Sequence, residues 1–323
     1  MALEIELTQL YSTAIVPFMK RTVTQGYFDS PTGSRLFYIF APHTDAHACI
    51  IISSGRGESA LKYAELIYDL HQQGYAVFAH DHAGQGLSER LVKNSMIGYV
   101  DRFSRYAEDF HAVYQQILYP VLTAHNQQTL DQYLLCHSMG SAIATEWLAS
   151  YPNEIQKAIF CGPMFSIQAP IAPWIARCLM YMSVTLDKWR KRPASYFLGQ
   201  QDYLEIEFDK NRLTSSQVRY QLFRDLYQQQ QELQVGGVST QWLIQALAAI
   251  EKLPEQLSKI KIPILALLAA QDTVVDSSGA EKLLNQCDNT QVQWIAGAKH
   301  ELLIEADSIR NQCLSTIISF LQE

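Results

Sequence analysis

Seven short apolar runs punctuate the chain: RLFYIFAP, ACIIISSG, AVFAHDH, YLLCHS, KAIFCGP, PILALLAAQD and VQWIAGA. Most are continuously apolar rather than alternating, the pattern of strands buried on both faces of a parallel sheet. Between them lie helical patterns: ALKYAELIYDLHQQG, closed by Gly74, then RYAEDFHAVYQQIL, GSAIATEWLASYP and the C-terminal SIRNQCLSTIISFLQE. This alternation predicts an α/β fold with a doubly wound, mostly parallel sheet flanked by helices. The first two runs, joined through HTDAH, can instead form an antiparallel edge pair. Residues 165–250 break the rhythm, reading as helix and loop without a convincing strand. The expected organisation is a core of residues 1–164 and 251–323 interrupted by a helical lid at 165–250.

A core of that size needs apolar material, and 48% of the 323 residues are hydrophobic against 18% charged, which excludes a disordered chain. The net charge of −7 argues against a nucleic-acid partner, which calls for a basic face. Six cysteines lie scattered without C-x-x-C spacing, mostly in apolar runs, as reduced buried thiols do, so a cytoplasmic location is expected. The N-terminal stretch carries Glu4 and Glu6 where an export signal needs basic residues. Nowhere do about 18 to 20 apolar residues run uninterrupted, the length a helix crossing a bilayer requires, so any membrane contact is expected to be peripheral.

The candidate chemistry centres on Ser138. It lies between the run YLLCH and the helical pattern that follows, in Cys136-His137-Ser138-Met139-Gly140, which keeps only the second glycine of the G-x-S-x-G nucleophile elbow. Alone this is a weak match, since a serine at a strand-to-helix turn need have no chemistry. A serine nucleophile needs a histidine base and a carboxylate to orient it, in the chain order serine, acid, histidine for this elbow. Only His300 follows Ser138 among the histidines. Asp272 ends an apolar strand and is favoured as the acid, with Asp276 the alternative, because sites in open parallel sheets form at the carboxyl ends of strands. For the oxyanion, backbone N–H donors are expected from Met139 and from Arg56, the latter in the loop SSGRGES. No metal or cofactor is expected.

SGRGESALKYAELIYDLHQQGYAVFAHDHAGQGLSER, GYVDRFSRYAEDF, CHSMGSAIA, LLAAQDTVVD and GAKHELLIEAD together resemble the membrane-associated bacterial lysophospholipases, themselves similar to monoacylglycerol lipases within the α/β-hydrolase superfamily. The resemblance runs from about residue 25 to the C-terminus. It implies an α/β-hydrolase fold, Ser138 as nucleophile, Asp272 as acid, His300 as base, and the amides of Arg56 and Met139 as oxyanion donors. Asp81 and His82, in HDHAGQGLS, read as structural. The chain departs from the family pattern at Cys136 and Ser141 in the elbow, at Ser54 in place of a histidine, and at Ala83 in place of an arginine. None of these removes a triad group.

The lid segment PIAPWIARCLMYMSVTLDKWRKRPASYFLG sets Trp174, Met180, Met182 and Trp189 near Lys188, Arg190, Lys191 and Arg192. Such a surface suits either an anionic lipid interface at the inner face of the cytoplasmic membrane or an ordinary lid packed on its domain. The expected activity is hydrolysis of a single-chain lipid ester, a lysophospholipid first. The alternatives are a monoacylglycerol lipase, a general carboxylesterase, an aminopeptidase, or a non-catalytic lipid-binding protein on the same scaffold. Oligomeric state is not legible.

Overall fold

The computed structural model describes residues 3–167, 173–190 and 194–323. Eight strands form one sheet: β1 (Thr24–Asp29), β2 (Arg35–Ala41), β3 (Ala48–Ser53), β4 (Tyr75–His80), β5 (Asp131–His137), β6 (Ile155–Cys161), β7 (Ile264–Ala269) and β8 (Thr290–Ile295). Their order is β1-β2-β4-β3-β5-β6-β7-β8, antiparallel at β1-β2-β4 and parallel from β4 onward.

The continuous apolar runs follow from this layering. Cys49 and Ile51 of β3 face one buried cluster, while Ala48, Ile50 and Ile52 face the other. β7 divides likewise, Ala266 and Leu268 against Leu265 and Leu267. Each fully buried aliphatic side chain contributes roughly 1.5–3 kcal/mol. Helices Ala64–Gln72, Ser104–Val113, Met139–Ser150 and Asp307–Gln322 occupy the expected segments, and Gly74 closes the first at φ +85°.

Two features differ from the sequence reading. β2 does not pair with β3: it runs antiparallel to β4, and β3 lies inside the sheet between β4 and β5. Both faces of β3 are apolar, so an interior position buries it fully, which an edge hairpin does not. β1 is an additional edge strand; its sequence TQGYFD is largely exposed and gives little apolar signal.

Between β6 and β7 the described residues form the helices Pro173–Trp189, Gln217–Gln229 and Thr240–Lys259 with two short 3₁₀ turns, and no named strand. The last helix runs unbroken through residue 250. All six cysteines are free. Among the described residues no helix is long and apolar enough to cross a membrane.

Candidate active site

The sheet register gathers the ends of several strands. Ser53 of β3 pairs with Cys136 of β5, and His137 of β5 with Cys161 of β6, so the loops after β3 and β5 are neighbours. Ser138 follows β5 at once and adopts φ 49°, ψ −116° before the helix Met139–Ser150 begins. A non-glycine residue held there costs about 1–3 kcal/mol and persists only where its surroundings impose it. They do: Ser138 N–H donates to Cys161 O at 3.0 Å, while its carbonyl accepts from Ser141 and Met164 N–H at 3.0 and 3.1 Å.

Gly140 explains why the second glycine of the elbow is kept. A Cβ there would stand 2.1 Å from Ser53 O and 2.6 Å from Ser53 C, so the helix approaches β3 only without a side chain. Cys136, at the first glycine's place, is fully buried in one core cluster. Burial holds its thiol well above the usual range, which makes it a packing group rather than a reactive one.

His300 Nε2 lies 3.0 Å from Ser138 Oγ, and His300 Nδ1 lies 2.7 Å from Asp272 Oδ2. Asp272 Oδ1 accepts from the N–H groups of Val274 and Val275 at 2.7 and 3.0 Å. Burial pushes the Asp272 carboxyl up, but the hydrogen bond and charge of His300, with those two N–H groups, outweigh it and leave the carboxyl below its ordinary value. It is therefore ionised at neutral pH and fixes an Nδ1–H tautomer, leaving Nε2 free to accept from the serine. Asp276 does something else: it caps the helix Ser277–Leu284 through Gly279 N–H at 3.0 Å and accepts from Ser166 Oγ at 2.9 Å.

Arg56, Ser138 and His300 line one cavity of about 580 Å³. The N–H groups on either side of Arg56 are taken, Gly55 by Glu58 Oε2 at 2.5 Å and Gly57 by Gln85 Oε1 at 2.9 Å. The Arg56 N–H has no such partner among the described residues, and Met139, first in its helix, has no carbonyl one turn back to receive its own. The Arg56 side chain is occupied elsewhere, donating to Gly236 O at 3.0 Å.

Asp81 and His82 stand apart from these groups. Asp81 accepts from Ser59 Oγ and from the N–H groups of Ala60 and Leu87 at 2.9, 2.6 and 2.7 Å, tying the loop after β4 to the turn after β3. Of the lid residues, Met180 is buried, whereas Met182 and Trp189 are 62% and 79% exposed beside Tyr181. The Trp174 and Lys188 side chains, and Lys191 and Arg192 altogether, lie outside the described residues.

Behind the serine is a charged cluster that the sequence reading did not identify. Glu58 Oε1 accepts from Lys62 Nζ at 2.9 Å and from His137 Nδ1 at 3.0 Å, and its Oε2 accepts from the Tyr63 hydroxyl as well as from Gly55. Lys62 Nζ also donates to Glu301 Oε1 at 2.6 Å, and His137 Nε2 lies 3.3 Å from His300 O. Burial disfavours the charged form of His137, but the carboxylates of Glu58 and Glu301 prevail and raise it to about 9. Burial likewise opposes ionisation of Glu58, and Lys62, His137 and Tyr63 hold it well below its usual value. Glu58, His137 and Glu301 have the donor atoms to hold a cation, and the Lys62 ammonium already serves as that cation. The Glu58/Lys62 spacing of four was the one signal in the sequence, with Glu58 just ahead of the 3₁₀ helix Ala60–Tyr63 that carries Lys62.

An eight-stranded, mostly parallel sheet with a strained serine at the turn into a helix is the architecture of an α/β-hydrolase. The chain belongs to the family whose model is described as serine aminopeptidase S33, matched over residues 44–307. It is 32% identical to the probable lysophospholipase L2 of Haemophilus influenzae over 311 residues, 95% of this chain and 94% of that protein. It is 31% identical to lysophospholipase L2 of Escherichia coli K12 over 278 residues, 84% of this chain and 79% of that one. Among solved structures, a soluble variant of monoglyceride lipase from Saccharomyces cerevisiae, in complex with a substrate analogue, superposes with a TM-score of 0.70 at 19% identity. That match covers 93% of this chain and 94% of the other.

Proposed function

We propose that the protein is a serine hydrolase that cleaves the carboxylic ester of a lysophospholipid through an acyl-enzyme. The observation that carries this reading is the continuous relay Ser138 Oγ, His300 Nε2, His300 Nδ1, Asp272 Oδ2, with links of 3.0 and 2.7 Å, at the wall of a cavity. The similarity to lysophospholipases and to monoglyceride lipase supports a lipid ester as the substrate.

Ser138 Oγ attacks the ester carbonyl carbon as its proton passes to His300 Nε2, and the carbonyl oxygen becomes an oxyanion held by the N–H groups of Arg56 and Met139. The oxyanion collapses, the bond to the alcohol breaks, and the departing glycerophospho-alcohol takes the proton from Nε2. Water then adds to the acyl carbon, giving a proton to His300. The bond to Ser138 Oγ breaks, the serine regains its proton, and the fatty acid leaves.

Tyr203, Arg224, Gly236 and Trp242, within the segment expected to form a lid, line the cavity. Met164, Ile167, Leu243 and Val275 offer an apolar lining for the acyl chain. An aminopeptidase reading needs a free carboxylate for the substrate's ammonium. The two buried carboxylates that line the cavity, Glu58 and Glu301, are already matched by Lys62 and His137. The exposed trio Tyr181, Met182 and Trp189 suits peripheral contact with a lipid surface. Turnover of lysophosphatidylethanolamine, monoacylglycerol and a short p-nitrophenyl ester, compared in one preparation, tests the substrate class: lysophosphatidylethanolamine is expected to have the highest kcat/KM, and a higher value for either other ester contradicts the reading.

A further inference from the structure

Arg224, on the helix Gln217–Gln229, lines the same cavity as Ser138 and His300 and is only 6% exposed. Its Nη1 donates to the Tyr203 hydroxyl at 2.7 Å and its Nη2 to the Tyr220 hydroxyl at 2.8 Å. Nε has no hydrogen-bond partner among the described residues. The rings of Tyr203, Tyr220 and Phe223 lie 5.6, 4.8 and 4.8 Å from the guanidinium carbon. Aromatic faces and two neutral hydroxyls orient this cation without neutralising it.

The other deeply buried arginines are treated differently. Arg219 contacts Glu65 and Asp307 at 2.9 Å each, and Arg310 contacts Asp69 at 2.8 Å. Lys62, the buried lysine of the cavity wall, is matched by Glu58 and Glu301. Arg224 alone among these has no carboxylate within ion-pair distance in the described residues, although burying an unpaired charge is costly. Of the remaining charged groups in the lining, Asp202 is exposed and accepts from Tyr196 and Asn94, while Arg56 adds a second positive charge, resting 5.8 Å from the Trp242 ring. The Arg224 guanidinium thus lines the cavity with its charge unmatched and with one further N–H on each Nη, while Nε is itself buried; a planar fork of this kind is the group best suited to phosphate oxygens.

We propose that Arg224 is the subsite for the phosphodiester of the substrate head group, and that it makes the enzyme prefer a lysophospholipid over a monoacylglycerol of the same chain. The subsite rests on the ester-hydrolase reading and specifies which ester it acts on. The anion completes the charge balance that Tyr203 and Tyr220 leave open, in the same cavity that Ser138 and His300 line.

The test compares kcat/KM for 1-palmitoyl lysophosphatidylethanolamine and 1-monopalmitoylglycerol in the wild type, Arg224→Gln and Arg224→Lys. Losing a charge-assisted contact is expected to cost about 10- to 100-fold on the lysophospholipid, and at least tenfold more than on the monoacylglycerol. The lysine variant is expected to lie between, since it keeps the charge but not the fork. Equal losses on both substrates, or a wild type without preference for the phosphorylated one, overturn the subsite. If the glutamine variant does not fold, unchanged selectivity in the lysine variant overturns it equally. Phosphate-dependent inhibition of p-nitrophenyl butyrate hydrolysis, lost in Arg224→Gln while lipid selectivity stays as in the wild type, assigns the group to free phosphate and also overturns it. Fluorophosphonate labelling at Ser138 is measured on the same samples: unlabelled protein defeats the hydrolase reading itself, whereas labelled protein with unaltered selectivity defeats only the role of Arg224.

Discussion

Glu58 accepts a hydrogen bond from His137 Nδ1 at 3.0 Å, joining the loop after β3 to the residue that immediately precedes Ser138. Through its other oxygen Glu58 holds Gly55 N–H, and through its far nitrogen His137 reaches His300 O at 3.3 Å. One buried ion pair therefore ties together the three loops that carry the proposed oxyanion donor, nucleophile and base.

This pair makes stability depend on pH in a stated direction. The His137 imidazolium is favoured in the folded protein, its pKa raised to about 9, against an unfolded value of about 6.5. Its contribution is fully present below about pH 6.5 and is lost as pH rises through about 9. Thermal melts between pH 6 and 9.5 are expected to show Tm falling with pH in the wild type. The fall should be shallower in Glu58→Gln, which is also expected to be less stable at pH 7 by about 3 kcal/mol for breaking a buried pair. Identical slopes in the two proteins contradict the assignment.

Asp272 and Asp276 are separable by mutation. Asp272→Asn, which removes the acceptor for His300 Nδ1–H, is expected to lower kcat on the order of 10⁴-fold with little change in Tm, by analogy with serine proteases. Asp276→Ala removes a helix cap and is expected to cost about 1 kcal/mol while retaining most activity. Steady-state rates and melting curves of the two variants check this, and the reverse pattern would exchange their roles.

The two elbow positions are both expected to lose stability when changed, Gly140 the more severely. Gly140→Ala introduces a Cβ into Ser53 backbone and should destabilise by about 3 kcal/mol or more, abolishing expression of folded protein. Cys136→Gly, which restores the usual elbow pattern, leaves a gap in the core and adds backbone freedom, for a loss of roughly 2 kcal/mol with kcat within a few-fold of wild type. Denaturant titration and ester turnover measure both.

Much of the sheet was legible because strands buried on both faces, such as β3 and β7, have unbroken apolar sequences. β1 was not, since an exposed edge strand has no such run. The position of β2 was ambiguous because sequence adjacency to β3 suggests a hairpin, whereas burial of β3 on both faces requires neighbours from farther along the chain. Ser138, Asp272 and His300 were singled out by chain order and strand ends, and the fold brings all three within hydrogen-bond reach. Lys62, His137 and Glu301 went unnoticed because their significance lies in partners up to 239 residues away, as for Lys62 and Glu301, whereas Arg224 is distinguished by the carboxylate it lacks, which only the fold reveals.

Tyr181, Met182 and Trp189 form an exposed apolar patch on the helix Pro173–Trp189. If this patch meets lipid, Met182→Ser/Trp189→Ser should sediment several-fold less with anionic phospholipid vesicles than the wild type does, while hydrolysing a soluble ester at the same rate. Unaltered sedimentation would remove the patch from any membrane role.

The most direct measurement of the central claim is hydrolysis of 1-palmitoyl lysophosphatidylethanolamine by the wild type and Ser138→Ala, with fluorophosphonate labelling followed by mass spectrometry of the modified peptide. The wild type is expected to release palmitate and to carry the label on Ser138, and Ser138→Ala to lose about 10⁶-fold in kcat and to remain unlabelled. Palmitate release by Ser138→Ala at the wild-type rate, or a label on another residue of an active enzyme, would contradict the account.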